Sequence, residues 1–271
     1  MTDREKVIEN IKKAVSDGDF HRKVELNDPV LTREEKDKIV FGYLKKRKTL
    51  SYKIKSFTAR RMANVLTSAI TKTTEIKGLE KLQKIHGGAI VTSNHFSPTE
   101  NTAPRLLAWR KGKKRLNVVC EETNLAMSGI IGFLMNYADT IPITDNLHYM
   151  QKSFTPLLKS LLDKGEYVLI YPEREMWTGY RKPRPLMEGA YYFASKLSVP
   201  IVPCFVEIRK EKEKVVHTLH VLDPLFPNPE KSVSENCREL ASRDYEMKVK
   251  AYEEIYNKKL DYSFEEEDVV I

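Results

Sequence analysis

Residues 89–101 read Ala-Ile-Val-Thr-Ser-Asn-His-Phe-Ser-Pro-Thr-Glu-Asn, and they pass from an apolar run into a polar loop. The run 89–93 predicts a buried strand, so the loop after it presents His95 at the edge of a sheet. Glu100, near the start of a helix predicted over 99–111, can fold back towards the imidazole. A neutral histidine that a carboxylate orients through one ring nitrogen can remove a hydroxyl proton with the other. The stretch therefore predicts a strand–loop–helix unit with His95 as a general base.

The same residues also fit a helix-capping motif. Ser97 would be the N-cap, Pro98 the first helical residue, and Glu100 would reach back to the backbone of the cap. Pro104 indicates either a later helix start near Thr102 or a kink. Both interpretations of Glu100, catalytic and structural, remain open from the residues alone.

Short β-branched runs alternate with helical segments from Gly88 onward. This alternation indicates an α/β fold, with a mostly parallel or mixed central sheet flanked by helices and an N-terminal helical accessory region. The predicted strands cover 89–93, 116–120, 139–143, 166–171, 200–208 and 215–222. The predicted helices cover 3–16, 32–47, 99–111, 125–137, 150–163, 186–197 and 229–260.

Four segments in this order resemble the sequence blocks of the glycerolipid acyltransferase superfamily, of the lysophosphatidic acid (1-acylglycerol-3-phosphate) acyltransferase type. That family's first block is a histidine, four residues and an aspartate, its third reads Phe-Pro-Glu-Gly, and its fourth reads Val-Pro-Ile-Val-Pro. The resemblance covers about residues 75–225, and the agreement in order is more specific than any single block. The segments here are 94–100, 132–143, 167–175 and 199–204.

Three positions depart from the family pattern. Glu100 stands where the family has Asp, which lengthens the side chain by one methylene. The family has an arginine shortly after Ile-Pro-Ile, but this chain has Thr-Asp-Asn over 144–146. After Glu173 the family has Gly and Thr, then Arg and Ser, but this chain has Arg-Glu-Met-Trp over 174–177. Those arginines are implicated in holding the acceptor's phosphate, so the departures affect phosphate binding and leave acyl transfer intact.

The resemblance implies a catalytic pair and a set of substrate-binding residues. His95 would remove the acceptor's proton, and Glu100 would fix the imidazole and stabilise its positive charge. A basic cluster over 181–184 follows the third block, and guanidinium groups suit bidentate binding of phosphate. The alternative for such a cluster is a solvated charge run. The predicted substrate-binding residues are Asn94, Ser97, Glu173, Arg174, Arg181 and Arg184.

The predicted activity is acyl transfer from acyl-CoA or acyl carrier protein to a hydroxyl of a lysophospholipid such as 1-acylglycerol-3-phosphate. The thioester is a co-substrate, and we expect neither a cofactor nor a metal. A non-phosphate acceptor such as a glycolipid is an alternative, as is a non-catalytic lipid-binding protein of the same fold. A hydrolase with Ser93 or Ser97 as nucleophile lacks the Gly-x-Ser-x-Gly elbow, and both serines are very close to His95 in the chain.

The basic residues of the chain are concentrated in one segment. Nine Lys or Arg and no Asp or Glu lie between Lys45 and Lys72, and without them the 46 basic residues fall to 37, against 38 acidic ones. Apolar residues at helical spacing include Phe57 and Met62, with Arg60 on another side. A basic amphipathic helix is typical of binding to an anionic membrane surface, although packing on the core is the commoner use. We predict that the basic groups, including Arg60, face lipid headgroups.

Composition limits the other classes of function. The three cysteines are scattered without disulfide or zinc spacing, which fits a reducing cytoplasm. No run approaches the ~20 apolar residues that span a bilayer, and no signal-peptide core begins the chain. No motif supports a nucleic-acid partner. We therefore expect a cytoplasmic protein bound peripherally to the inner face of the cell membrane, with a membrane-associating region 1–74 and an acyltransferase domain 75–271.

Overall fold

The computed structural model describes residues 1–26, 28–212 and 214–270. A seven-stranded mixed sheet forms its centre. The strands are β1 (Glu75–Lys77), β2 (Ala89–Thr92), β3 (Leu116–Glu121), β4 (Thr140–Ile143), β5 (Tyr167–Ile170), β6 (Ile201–Glu211) and β7 (Lys214–Val221). Their order in space is β1-β7-β6-β2-β5-β3-β4.

The middle of the sheet is parallel. β2 pairs in parallel with β5 and β6, and β3 pairs in parallel with β5 and β4. β7 runs antiparallel to β6 and parallel to β1. Every residue of β2 and β5 is buried, because both faces of the sheet are covered, and this explains why these strands are unbroken apolar runs.

Helices cover both faces of the sheet. One core lies on the face that carries Ile90 and Val168, and it contains side chains of α2, α7, α8 and α9. The other core lies on the face of Val91 and Leu169 and contains side chains of α4. The helices are α1 (Asp3–Ser16), α2 (Arg33–Arg47), α3 (Leu50–Ile70), α4 (Thr102–Arg110), α5 (Gly129–Tyr137), α6 (Leu147–Tyr149), α7 (Thr155–Asp163), α8 (Gly189–Leu197) and α9 (Val233–Tyr256).

The predicted α/β class with a mixed, helix-flanked sheet is confirmed. The six predicted strands form at nearly the predicted positions, and β1 was missed because three residues carry no periodic signal. The helix predicted over 125–137 is a 3-10 turn, Glu122–Ala126, followed by α5. The helix predicted over 150–163 starts earlier as α6 and passes through a π turn, Met150–Phe154, into α7.

The amino-terminal helices are packed against the sheet domain. Val7, Ile11 and Ala14 of α1 share a core with Trp177 and Tyr180, which follow β5. α2 contributes to the core between the sheet and α7. The division into a region 1–74 and a domain 75–271 stays a prediction, and these contacts show that the two parts share their cores.

Small side chains form the buried face of α3. Ser56, Ala59, Ala63 and Thr67 are buried, and α3 packs there on α5 and α4. The large apolar side chains of α3 point away from the core: they are Leu50, Ile54, Phe57, Met62, Val65 and Leu66, all exposed. Small residues let the helices approach closely, so α3 is held without burying its large side chains. No helix within the described residues is long and apolar enough to cross a membrane.

Candidate active site

His95 and Glu100 are in direct contact in the loop between β2 and α4. The carboxylate Oε1 of Glu100 accepts a hydrogen bond from Nδ1 of His95. The imidazole is 22 % exposed and the Glu100 side chain only 3 %, so a buried carboxylate orients a ring that solvent and substrate can reach. Nε2 makes no hydrogen bond within the described residues, and it is the nitrogen that a base would use.

The other oxygen of Glu100 organises the loop itself. Oε2 accepts hydrogen bonds from the backbone N–H groups of Phe96 and Ser97. The return to Ser97 is half of the predicted capping motif, but no helix begins there, since α4 starts at Thr102. The two interpretations of Glu100 are therefore compatible, because one oxygen contacts the imidazole and the other holds the turn.

Tyr171 stacks against the imidazole of His95. It follows β5, the neighbour of β2, and Thr92 is in register with Ile170 at the ends of these strands. The two loops consequently leave the same edge of the sheet. The Tyr171 ring stacks on the imidazole of His95, with centroids 4.1 Å apart and planes 7° from parallel. This contact fixes the plane of the imidazole.

Asn94 links the loop to β6. Its Oδ1 accepts from the backbone N–H of Val206 at 2.8 Å, and its Nδ2 donates to the carbonyl of Val206 at 3.0 Å. The carboxamide thus imitates a peptide group and extends the pairing of β2 with β6 beyond Thr92. Asn94 is 2 % exposed, and both of its polar atoms are engaged within the protein. Its predicted role in binding substrate stays a prediction, whereas its contacts are structural.

A buried ion pair clamps the backbone of His95. Glu173 Oε2 accepts from the His95 N–H at 3.0 Å and from Nη2 of Arg184 at 3.0 Å, while Oε1 accepts from the Arg184 N–H at 3.1 Å. The carbonyl of His95 accepts from the N–H of Trp177 at 3.0 Å. Both backbone polar groups of His95 are therefore bound by the segment after β5. Glu173 and Arg184 are at most 2 % exposed. They contact the backbone of His95 and are buried beneath the loop that carries it.

Residues 73–207 match the acyltransferase family model. The matched segment contains the His95 loop, β4, the loop after β5 and the start of β6, which are the four blocks in their predicted order. The predicted resemblance is thus supported, as a similarity to the acyltransferase family over residues 73–207. The identity of His95 and Glu100 as the family's His-x4-Asp motif with Glu in place of Asp stays a prediction.

The chain as a whole is similar in fold to a solved structure. The 1-acyl-sn-glycerophosphate (LPA) acyltransferase PlsC from Thermotoga maritima has a TM-score of 0.51 and 15% sequence identity, covering 94% of this chain and 97% of that one. At such identity the likeness shows the fold. No curated protein matches the sequence.

The three arginines that were predicted to bind substrate differ in their contacts and in their exposure to solvent. Arg184 forms its ion pair with Glu173. Arg181 lies over the ring of Tyr256, and its guanidinium donates to the carbonyl of Glu267. Arg174 is 55 % exposed, has a left-handed backbone (φ 70°) and approaches Glu175 at 3.4 Å. Of the three arginines, Arg184 is buried, Arg181 is partly exposed and Arg174 is the most exposed.

The two serines of the hydrolase alternative do not contact the imidazole. Ser93 is fully buried and its hydroxyl donates to Oδ1 of Asn94 at 3.3 Å. The hydroxyl of Ser97 lies 3.2 Å from that of Thr99. Neither serine forms a hydrogen bond with His95 in the described part of the chain, so this arrangement gives no support to a serine nucleophile.

Several contributors to the site gave no signal in the sequence. The carbonyls of Phe20 and Arg22 accept from Nη1 of Arg184 and Nε1 of Trp177, both at 2.9 Å. Glu25 accepts from the backbone and hydroxyl of Thr178 at 2.9 and 2.6 Å. The segment 20–25 therefore covers the loop after β5, about 150 residues away in the chain. Tyr171 could have been singled out, since it directly follows a predicted strand.

Proposed function

We propose that this protein transfers a fatty acyl group from an acyl thioester, acyl-CoA or acyl carrier protein, to a hydroxyl of a lysophospholipid such as 1-acylglycerol-3-phosphate. The contact between His95 and Glu100 carries the proposal. It joins a partly exposed imidazole to a buried carboxylate at the edge of the sheet. The match of residues 73–207 to the acyltransferase family supports the reaction class.

The reaction needs one base and no protein nucleophile. Nε2 of His95 removes the acceptor's hydroxyl proton while the oxygen attacks the thioester carbon. Collapse of the tetrahedral intermediate breaks the C–S bond and forms the ester. The departing thiolate takes the proton from the imidazolium, which leaves a free thiol and a neutral His95. Glu100 stabilises the imidazolium between these steps, as the carboxylate of a triad does.

The identity of the acceptor depends on the positive charge near the site. Arg174 supplies solvent-exposed charge, and this favours an acceptor with a phosphate. A neutral acceptor such as a glycolipid is the second candidate. Asp145 lies near the place where the family pattern has an arginine after Ile-Pro-Ile, and Glu175 stands where that pattern has Thr. Burial is the main cause that raises the pKa of Glu175.

We expect Arg174→Glu to raise the KM for 1-acylglycerol-3-phosphate by about ten- to a hundredfold, with kcat nearly unchanged. The reason is that one guanidinium–phosphate contact contributes roughly 1.5–3 kcal/mol to binding of the ground state. The measurement is steady-state kinetics with this acceptor and with monoacylglycerol. Arg181→Glu is the comparison variant, because the guanidinium of Arg181 lies against the carboxyl-terminal segment, at Tyr256 and Glu267. An unchanged KM for both acceptors in Arg174→Glu would favour the glycolipid candidate.

The acceptor would reach the protein at a membrane. α3 packs on α5, and both helices carry exposed apolar side chains, among them Phe57 and Leu66 on α3 and Ile130 and Ile131 on α5. The segment 45–72 that contains α3 has nine basic residues and no acidic one. Arg60 is an exception to the predicted headgroup contacts, since it pairs with Asp139 at 3.4 Å. We propose that α3 and α5 bind the inner face of the cell membrane peripherally.

Liposome co-sedimentation tests this surface. Binding to anionic vesicles should fall as salt rises, because charges are screened over ~8 Å at physiological ionic strength. Replacing Lys45, Lys46, Arg47 and Lys48 by Gln should weaken it further. Phe57→Gln should weaken binding at all salt concentrations, whereas Phe226→Gln, with similar exposure outside both helices, should not. Equal binding to neutral and anionic vesicles at every salt concentration would contradict the electrostatic part.

The activity assay uses purified protein with acyl-CoA or acyl carrier protein and each acceptor, followed by detection of the lipid product. Transfer to either acceptor separates an enzyme from a lipid-binding protein of the same fold. Thiol release without an acceptor would indicate hydrolysis. Lipid binding without turnover of any donor would contradict the proposed activity and support a non-catalytic lipid-binding protein of the same fold.

A further inference from the structure

A segment that follows α9 lies along the loop that binds the backbone of His95. This segment, residues 257–270, is called the strap below, and it contacts residues 177–183 of the loop after β5. Apart from a 3-10 turn, Glu266–Asp268, the described residues of the strap form no helix or strand. The place of the strap on the protein therefore depends on its contacts with that loop.

Backbone hydrogen bonds connect the strap to the chain around His95 through a single intervening residue. The N–H of Val270 donates to the carbonyl of Gly179 at 2.9 Å, and the N–H of Gly179 donates to the carbonyl of Phe96 at 2.8 Å. Gly179 is thus bonded on one side to the strap and on the other side to the residue after His95. The further backbone contacts are the Arg181 N–H with the Asp268 carbonyl at 2.9 Å and an antiparallel bridge of Tyr180 with Val269.

A buried ion pair also connects the strap to the loop. The side chain of Lys182 is 0% exposed, and its ammonium lies 2.8 Å from Oδ2 of Asp268, whose side chain is 3% exposed. The same ammonium donates to the carbonyl of Ser263 at 2.7 Å and lies 3.4 Å from the carboxylate of Asp261. All three partners belong to the strap. Because a buried ammonium without a carboxylate is strongly unfavourable, the burial of Lys182 depends on the strap being in place.

Apolar side chains of the strap pack on both sides of the loop. Val269 packs against the core that contains Trp177 and Tyr180, and Val270 packs against the core that contains Phe96. The loop after β5 is therefore in contact with the strap through its backbone, through an ion pair and through apolar side chains. Since the N–H groups of this loop bind the carbonyls of His95 and Phe96, a displacement of the strap would reach the catalytic loop.

We propose that Lys182 and Asp268 are positioning residues for His95. Their ion pair keeps the strap against the loop after β5, and the strap keeps that loop where Trp177 and Gly179 bind the chain at His95 and Phe96. Loss of the pair would release these hydrogen bonds and let the imidazole move from the place where Nε2 meets the acceptor hydroxyl. The inference rests on the proposed function in taking His95 as the base.

The first test removes the carboxylate and measures transfer. Asp268→Ala should lower kcat by about ten- to a hundredfold, the range expected when a catalytic group is slightly misplaced. Both KM values should stay within about twofold of the parent values, because the ion pair is buried and offers no charge to a substrate. Asp268→Glu keeps the charge and should recover part of kcat. Glu266→Ala, at an exposed acidic residue of the same turn, should behave like the parent.

A second variant separates positioning from stability, since the loss of a buried ion pair also lowers the melting temperature. Leu240→Ala truncates a buried side chain of α9 in the core on the face of Ile90, and Phe96 lies in the core on the other face. Assayed where both variants are folded, Leu240→Ala should keep the kcat of the parent. Equal losses of kcat in Leu240→Ala and Asp268→Ala would overturn the proposal, as would a raised KM with an unchanged kcat in Asp268→Ala.

The second test removes one hydrogen-bond donor and leaves the ion pair in place. Val270→Pro deletes the N–H that donates to Gly179. The backbone of Val269 is already extended (φ −116°, ψ 112°), which is the conformation that a following proline requires. Val270→Ala keeps the N–H and loses most of the side chain. We expect kcat to fall further in Val270→Pro than in Val270→Ala, and equal values would show that the backbone contact does not position His95.

Hydrogen exchange of the backbone amides needs no substrate. In Asp268→Ala the amides of Trp177 and Gly179 should exchange faster than in the parent, while those of β2 stay protected. Faster exchange at these two amides would support the inference even if no acyl transfer were found, which separates its failure from that of the proposed function. Parent-like exchange at both amides would overturn the inference even in an active enzyme.

Discussion

His95→Ala is expected to abolish acyl transfer and to leave the fold intact. General-base catalysis contributes roughly 10²–10⁴ in rate, so loss of the imidazole should remove most of the catalysis. The side chain is partly exposed and contacts Glu100 and Tyr171, so its removal should not disturb the core. The measurement is single-turnover formation of the lipid product, with circular dichroism to check the fold.

His86→Ala is the matched control, since His86 is exposed and lies before β2, away from the loop. Glu100→Gln should lose on the order of 10²–10⁴ in rate, as expected when a triad histidine is misoriented. Glu100→Asp should keep partial activity, because it restores the family's usual residue. Parent-like turnover by His95→Ala would refute the mechanism.

Asp244→Ala is expected to lower the free energy of unfolding by about 3–5 kcal/mol, the typical cost of leaving a buried charge unpaired. Asp244 and Lys248, one turn apart on α9, are both 0% exposed and form an ion pair. The hydroxyls of Thr92 and Tyr191 each donate to Oδ2 of Asp244 at 2.6 Å. Removal of this carboxylate leaves the ammonium without its counter-charge and the two hydroxyls without their acceptor. Such a loss is a large part of the ~5–15 kcal/mol that stabilises a typical domain.

The measurement is urea unfolding, read as a change in midpoint with constant slope. Glu254→Ala is the control, since Glu254 pairs with Lys250 at the same helical spacing on α9 but in solvent, and exposed pairs contribute ~0.2–1 kcal/mol. The double variant Asp244→Asn/Lys248→Met removes both charges and should recover most of the loss. Equal effects of Asp244→Ala and Glu254→Ala would show that burial does not amplify this pair.

The buried pair also has a functional consequence. Thr92 is the last residue of β2, and His95 follows three residues later. The network of Thr92, Asp244 and Lys248 therefore fixes the end of the strand, and Asn94 and Glu173 fix the chain that follows. We infer that the imidazole is held by a rigid backbone and that its loop is not a flexible lid.

Local sequence accounts for the secondary structure and for the contact between His95 and Glu100. The continuous apolar runs of β2 and β5 are recognisable because strands buried on both faces have no polar side chains to interrupt them. The contact of His95 with Glu100 spans five positions, so it needs only a turn to form. The order of the four blocks predicted the reaction class for the same reason, since each block is a short stretch read directly from the chain.

Only the tertiary structure decided what surrounds that pair. The substrate-binding roles of Arg184 and Asn94 stay predictions, and the sequence could not show that folding engages both side chains in buried contacts, with Glu173 and with Val206. The sequence by itself determined the elements and the His95–Glu100 contact, because these depend on neighbours in the chain. Burial and ion pairing depend on residues far apart in the chain, which meet only when the sheet and helices pack.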